Sequence, residues 1–334
     1  MEYTTLGSTG MEVSRICLGG MSFGSNNLYD WTLDREESRK IIEHAIDVGV
    51  NFFDTANVYS DGRSEEIIGD VLSEYDRDNQ VVATKCYFPT NLFTGESEPH
   101  PNASGLSRKA IEQELQNSLD RLRMDTVDLY QIHRWDEHTP IEQTLRTLDD
   151  AVRRNQVRYI GASSMWAHQF QDALHTSDRL GLERFVTMQN HYNIVYREEE
   201  REMQPLCEKE NIGCIPWSPL ARGYVTRPHE EQQSTERGNV EANAWGERLA
   251  VYQAGGGDEI NNRIEEVAAE KGVTMAQISL SWLLHQDNVD APIIGTTSIE
   301  HLNEAVDALN ISLSDSDISY LEEPYEPVPV EGHS

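Results

Sequence analysis

Leu18-Gly19-Gly20-Met21-Ser22-Phe23-Gly24 follows the first of eight short apolar runs in this chain, and its spacing separates two fold classes. A doubly wound parallel sheet that binds a dinucleotide carries G-x-G-x-x-G in the turn after its first strand. Here the glycines stand at 19, 20 and 24, so that spacing is missing. Working outward, strand-like runs cover 16–18, 51–54, 81–85, 127–133, 159–163, 185–189, 213–217 and 291–295. Between them lie amphipathic helical stretches such as 36–48, 108–122, 141–154, 198–210 and 261–271. Eight strands alternating with helices imply a parallel sheet. Without the dinucleotide turn, the expected fold is the α/β class as a (β/α)8 TIM barrel, with functional residues at the C-terminal ends of its strands.

Local signals fill in the frame. Residues 3–6 and 12–13, joined through Gly7-Ser8-Thr9-Gly10, read as an N-terminal β-hairpin capping the barrel over 1–14. Asp34 is placed to cap the first helix, with Glu37 three residues on to complete a capping box, and Ser107 to cap the third. The rhythm breaks over 221–258, after the seventh strand, where a loop this long is expected to serve as a lid or an insert. Pro324, Pro327 and Pro329 cannot continue a helix, so 322–334 reads as an extended surface tail. No internal repeat interrupts the pattern, and the whole of 1–334 reads as one barrel domain.

Composition narrows the function classes. Hydrophobic residues make up 38% of 334, enough for a core. No apolar run approaches the roughly 18 residues of a membrane helix, and Met1-Glu2-Tyr3 opens without a signal-peptide pattern, so a cytoplasmic protein is expected. Cys17, Cys86, Cys207 and Cys214 show no zinc-ligand spacing and read as reduced, partly buried thiols. Asp and Glu total 58 against 27 Lys and Arg, a net charge of −31, and lysine is confined to Lys40, Lys85, Lys109, Lys209 and Lys271. The plain reading is solubility; the sharper one is adaptation to high salt. Both argue against nucleic acid or an anionic membrane as partner.

Three strand-like runs end in ionisable groups: Asn51-Phe52-Phe53-Asp54, Val81-Val82-Ala83-Thr84-Lys85 and Asp128-Leu129-Tyr130-Gln131-Ile132-His133. Tyr59 follows Asp54 after Thr55-Ala56-Asn57-Val58. Reducing a carbonyl requires a hydride at carbon and a proton at oxygen. Tyrosine, with an ordinary pKa of about 10, is a poor acid at neutral pH unless something stabilises its phenolate. A neighbouring ammonium does so, and a carboxylate holds that ammonium charged and in place. Tyr59, Lys85 and Asp54 suit these three roles, and His133 suits orienting the substrate oxygen or sharing the proton transfer. Singly, each has an ordinary reading as a helix cap, solvated strand end, rim residue or structural histidine. Together at strand ends they read as catalytic.

From Leu18 to Ala305 the chain resembles the aldo-keto reductase family, in its longer bacterial, fungal and archaeal form. Asp54-Thr55-Ala56-Asn57-Val58-Tyr59 with Gly62-Arg63-Ser64-Glu65-Glu66-Ile67-Ile68-Gly69 resembles the family's Asp/Tyr signature, and Asp128 to His133 its histidine signature. Potassium-channel β-subunits are similar but generally carry asparagine at the position of His133. The resemblance implies carbonyl reduction with a nicotinamide cofactor, NADP with NAD as the alternative. It places Gly20 and Met21 at that cofactor, Ser163, Ser164 and Gln189 on the nicotinamide amide, and Trp217 stacked on the ring. Ser218, Pro219, Leu220, Ala221 and Arg222 resemble the pyrophosphate loop, while Gly295, Thr297, His301 and Glu304 match positions around the adenosine and its 2′-phosphate. Three positions depart from the family: Ser164 and Ala305 stand where asparagine is usual, and His301 where one branch has arginine. Arg227 and Arg237 are further candidates for phosphate contacts.

The expected partner is a small-molecule carbonyl compound, with Tyr29, Trp31, Phe88 and Trp135 as aromatic pocket walls suited to flat aldehydes or to sugars. The competing reading is a non-catalytic nicotinamide-binding regulatory subunit, which has no need of all four catalytic residues. A hydrolase or isomerase on the same barrel lacks a metal-ligand cluster or paired catalytic carboxylates in this sequence.

Overall fold

The computed structural model describes residues 1–24, 31–92, 100–234 and 246–333. Strands β1 (Tyr3–Thr5) and β2 (Glu12–Ser14) form the antiparallel hairpin. Eight parallel strands follow: β3 (Cys17–Gly19), β4 (Phe52–Asp54), β5 (Val81–Cys86), β6 (Val127–Ile132), β7 (Val157–Ser163), β8 (Phe185–Gln189), β9 (Gly213–Cys214) and β10 (Ile293–Gly295). They pair in the order β10-β3-β4-β5-β6-β7-β8-β9. Asp290 N donates to Cys214 O and Ile293 N to Pro216 O, both at 2.9 Å, which closes the sheet between its two edges. The result is the (β/α)8 barrel, buried on both faces as parallel strands require.

Helices cover the outside, and their ends follow the local chemistry. The helix Arg35–Asp47 carries the capping box, Asp34 accepting from Glu37 N while Glu37 accepts from Asp34 N. The helix Arg108–Leu122 starts at Ser107, whose hydroxyl accepts from Ala110 N. One large apolar cluster lies between β3–β9 and the helices around them; Phe52, Val81, Ala83 and Leu129 belong to a separate cluster that also includes Leu6 and Val13 of the hairpin.

Three local expectations need correction. The seventh strand is only Gly213–Cys214: beyond it Ile215 N still donates to Met188 O at 3.0 Å and Trp217 N to Asn190 O at 2.9 Å, but the regular ladder is reduced to a single bridge between His191 and Trp217. A continuous helix over 198–210 is interrupted: a 3-10 turn at Glu198–Glu200 precedes the helix Met203–Glu210. Pro205 explains the break, since its ring conflicts with a helical carbonyl four residues back and is tolerated only in a first turn. The 221–258 segment is not merely a loop, because the helix Gly246–Ala254 lies inside it.

The last residues are pinned rather than free. After the helix Asp315–Glu322, Val328 N donates to Glu198 Oε1 and Glu331 N to the Tyr196 hydroxyl, both at 2.8 Å. All four cysteines are free and buried. No described helix is long and apolar enough to cross a membrane.

Candidate active site

Parallel register sets the site. Asp54 lies level with Ala83, while Lys85 lies level with Gln131 and Gly161. Gly161 has to be glycine: a Cβ there would stand 2.3 Å from Thr187 Oγ1 and 3.0 Å from Gln131 Cγ. Its missing side chain leaves room for the inward-pointing amide of Gln131.

Lys85 Nζ is the centre of the arrangement. It donates to Asp54 Oδ1 at 2.5 Å, to Thr55 O at 2.8 Å and to the Tyr59 hydroxyl at 3.3 Å. The lysine is 0% exposed and Asp54 2%. Burial works against the ammonium, but the Asp54 carboxylate and Tyr59 outweigh it and hold Lys85 above its ordinary value. Asp54 is satisfied on its other side as well: Gln131 Nε2 and Gln189 Nε2 both donate to Oδ2 at 2.9 Å.

Tyr59 is held by its own segment. Ser60, Asp61 and Gly62 follow it with φ of 49°, 56° and 86°, three left-handed residues in succession. Such strain persists only where the surroundings over-determine it, and they do here. Ser64 Oγ donates to Gly20 O at 2.7 Å; Asn57 Nδ2 donates to Phe88 O and to Glu114 Oε2, both at 2.8 Å; Glu65 accepts from Thr84 and Arg121. Gly20 in turn has no room for a side chain, since a Cβ would meet Ser64 Oγ at 2.6 Å.

His133 stands edge-on to Tyr59, ring centroids 5.9 Å apart, and edge-on to Phe88 at 5.1 Å. Burial, reinforced by the Lys85 and Arg134 charges, holds its imidazole well below the usual histidine range. The ring is therefore uncharged at neutral pH, and its Nδ1 has no hydrogen-bond partner among the described residues. The neighbouring thiol is no rival, because burial pushes Cys86 up to about 12.

Around this centre the remaining sequence-derived residues gather. Ser163 Oγ donates to Gln189 O at 2.7 Å, and Trp217 Nε1 donates to Ser164 Oγ at 3.0 Å. Ser164 thus serves the indole. The segment Ser218, Pro219, Leu220, Ala221, Arg222 turns through left-handed φ at Ser218, Ala221 and Arg222. Leu220 packs against the apolar cluster that includes Ile294 of the last strand and Ala305 of the helix Ile299–Asp307. Ser22 Oγ donates to Thr296 O at 2.9 Å, joining Gly20 and Met21 to Gly295 and Thr297 across the β3–β10 pair. His301 is exposed and Glu304 half-buried on that helix, whose N-cap is Ser298. A helix N-terminus beside a strained turn is a place where backbone N–H groups suit phosphate.

The pocket walls divide. Phe88 is half-buried against His133, whereas Trp135 packs against the main core. Trp31 is described and half-buried; Tyr29 and Arg237 lie outside the described residues. Sequence reading passed over Gln131, Asn57 and His191. Gln131 carried a readable signal, since an amide two residues before His133 shares its inward face on an otherwise apolar strand. Among the described residues no group of three or more His, Cys, Asp or Glu could hold a metal.

The Aldo/keto reductase family model matches residues 15–326. The chain is 40% identical to the aldo-keto reductase AMT2 of Alternaria alternata, over 99% of this chain and 94% of that protein. It is 41% identical to a putative aryl-alcohol dehydrogenase of Schizosaccharomyces pombe, over 99% and 97%. It is also 41% identical to versiconal hemiacetal acetate reductase of Aspergillus parasiticus, over 98% of each. With a barrel, a matching family model and relatives aligned end to end, this chain belongs to the aldo/keto reductase family and is an NAD(P)H-dependent oxidoreductase.

Proposed function

We propose that the protein is a cytoplasmic, NADP-dependent reductase of small aldehydes or ketones, built as a single barrel domain, with Tyr59 as general acid. The observation that carries this reading is the buried Asp54–Lys85–Tyr59 chain, 2.5 Å and 3.3 Å between successive polar atoms, beside an uncharged His133. A substrate carbonyl oxygen placed between Tyr59 and His133 accepts a hydrogen bond from the phenol and one from the neutral imidazole. As negative charge develops on that oxygen, Tyr59 transfers its proton. The phenolate left behind faces the Lys85 ammonium, which Asp54 keeps charged. Gln131 and Gln189 hold Asp54 so that this ion pair does not reorganise during the transfer.

The residues present fit a nicotinamide dinucleotide. Ser163, Ser164, Gln189 and Trp217 form a connected polar and aromatic group joined to Asp54, and the 218–222 turn and the 295–304 segment supply positions for phosphate and adenosine. When bound, that cofactor supplies the hydride. NADP is favoured over NAD by Arg222 and Arg227 and by the exposed His301, which attracts a 2′-phosphate when protonated. The net charge of −31 disfavours nucleic acid as a partner.

The test is oxidation of NADPH with a nitrobenzaldehyde, run beside NADH. Aldehyde-dependent turnover with a preference for NADPH is expected. Tight dinucleotide binding with no turnover on any of a panel of aldehydes, ketones and aldoses would favour the non-catalytic subunit instead.

A further inference from the structure

Three aromatic rings form a column under the proposed cofactor site. Trp217 lies on His191 with centroids 4.2 Å apart and planes 12° from parallel, and His191 lies on Tyr196 at 4.1 Å and again 12°. His191 is 2% exposed and Tyr196 0%, so the lower two rings are built into the fold. The middle ring is fixed in its own plane. Its Nε2 is 2.9 Å from the Tyr252 hydroxyl and 3.3 Å from Asn193 Nδ2. Two polar neighbours on one ring nitrogen leave the imidazole little freedom to rotate. Asn193 Nδ2 also donates to Ser218 O at 2.9 Å, which ties the column to the turn that follows Trp217.

The top ring is held by its edge. Trp217 Nε1 donates to Ser164 Oγ, and Ser164 keeps a left-handed φ of 41° to present that oxygen. A left-handed backbone is disfavoured at serine because Cβ crowds the following carbonyl, so the position is one that the surroundings enforce. The tail completes the clamp: Glu331 N donates to Tyr196 at the bottom of the column, and the chain at Gly332 passes beside the benzo edge of Trp217 at the top.

We propose that His191 and Ser164 are positioning residues for cofactor binding: His191 sets the height and tilt of the Trp217 ring, Ser164 its rotation, and the nicotinamide ring is the next layer of the column. This rests on the proposed stacking of the nicotinamide on Trp217. Nothing in it requires His191 or Tyr196 to touch the ligand. An indole already locked in place loses no rotamer freedom when a ligand ring stacks on it, which is how preorganisation raises affinity.

The experiment compares two ligands by calorimetric titration. NADP+ carries the nicotinamide, whereas 2′,5′-ADP carries only the half of the molecule far from the column. NAD+ and AMP serve as the matching pair if NAD+ is the tighter ligand. His191→Leu is expected to weaken NADP+ about tenfold, the value of one good ring–ring contact, while 2′,5′-ADP stays within about twofold. His191→Phe, which keeps a flat ring, should recover most of the loss. Ser164→Ala, the milder change, should weaken NADP+ about threefold with the same selectivity. A His191→Leu protein that binds NADP+ as tightly as the wild type overturns the proposal. So does one that loses both ligands in proportion, or an unselective Ser164→Ala protein should His191→Leu not fold. Trp217→Ala separates the two levels of the argument: if it leaves NADP+ affinity unchanged, the stacking reading fails and the proposal falls with it, whereas a selective loss there without one in His191→Leu and Ser164→Ala sinks the proposal alone.

Discussion

The two ends of the barrel bury the same kinds of groups and use them differently. At the start of β6, Asp128 is 4% exposed. Its Oδ2 accepts from Arg77 at 2.6 Å and from Val82 N at 2.9 Å, and its Oδ1 accepts from Arg158 at 2.9 Å. Nearby, Asp290 accepts from Gly7 N at 2.8 Å, while Arg15 donates to the carbonyls of Leu284, Val289 and Asp290. Asp128 and Arg15 thus have three protein partners each, and with Asp290 they lock the hairpin and strand starts. At the opposite end, Lys85 divides its donors between a carboxylate, a carbonyl and a phenol, and the nearby His133 Nδ1 has no described partner. A closed network stabilises one conformation; a network left short by one or two bonds has capacity for a ligand. Spare hydrogen-bonding capacity beside a set of ionisable strand-end groups marks the reactive end; a partnerless buried atom alone does not, since Gln80 Oε1 just before β5 also lacks a partner among the described residues.

The sharpest way to break this comparison is Tyr59→Phe. The change removes one hydroxyl and almost no volume. Turnover is expected to fall by roughly 10² or more, as for loss of a positioned acid, while dinucleotide affinity and melting temperature stay close to wild type. Steady-state kinetics beside calorimetric binding checks all three. Near-native turnover would remove Tyr59 from the mechanism and leave the two ends alike.

At the closed end the opposite pattern is expected. Asp128→Asn keeps the shape of the side chain, but its amide NH2 faces at least one of three former donors. Stability should drop by about 2 kcal/mol, the usual worth of charge-assisted bonds to a buried group. Denaturant unfolding measures that loss, and kcat per folded molecule should stay within about twofold. A selective loss of kcat with no loss of stability would show that the two ends are not separable.

Much of this division was legible in the chain before folding. Asp54, Lys85 and His133 each close a run of apolar residues, and a parallel strand has to be apolar until it leaves the barrel. Three of the four catalytic candidates were therefore readable by position, and Tyr59 by the segment that follows Asp54. Gln131 was harder, because a polar residue inside a strand is explained only by the Asp54 and Gln189 side chains that meet it. His191 was harder still. Its partners Trp217 and Tyr252 lie 26 and 61 positions away, and no local pattern encodes a ring column. The broken helix at 198–210 was recoverable from Pro205, whereas the helix Gly246–Ala254 was obscured by the glycines beside it and by its weak apolar periodicity.

The two ends should also titrate with opposite signs. Burial, only partly offset by Gly7 N and Arg15, pushes Asp290 up to about 6. Between about pH 4 and 6 the folded protein then holds a proton there that the unfolded chain has released, so this contribution to stability falls as pH rises. His133 lies well below its ordinary value, so below about pH 6.5 the unfolded chain binds the proton that the folded protein refuses. That contribution to stability is lost as pH falls. Unfolding measured across pH 4–8 should show Asp290→Asn gaining on wild type by roughly 1–2 kcal/mol as pH rises through 6. His133→Gln should flatten the loss on the acid side of 6.5. Profiles parallel to wild type in both variants would mean that neither buried group governs the pH response.

The smallest effect is expected between the ends and the surface. Acidic residues outnumber basic ones 58 to 27, and arginines supply most of the ion pairs, as in Arg35 and Arg123 on Asp70 and Arg108 on Asp150. Exposed carboxylates such as Glu36 and Glu37 make no ion pair among the described residues. Their mutual repulsion is long-ranged at low ionic strength and is screened as the Debye length shrinks from roughly 10 Å at 0.1 M to roughly 3 Å at 1 M. The Asp54–Lys85 pair is shielded from that screening by the protein itself, whereas Arg77 and Arg158 on the buried Asp128 are 31% and 49% exposed. Adding KCl should therefore raise the melting temperature by a few degrees up to about 1 M, lessen the Asp128→Asn penalty slightly, and preserve turnover. A rise that continues beyond about 1 M, where screening is nearly complete, would mark a surface adapted to concentrated salt. A melting temperature indifferent to KCl would reduce the acidic surface to a matter of solubility. A turnover that falls over the same range would show that the Asp54–Lys85 pair is open to salt after all.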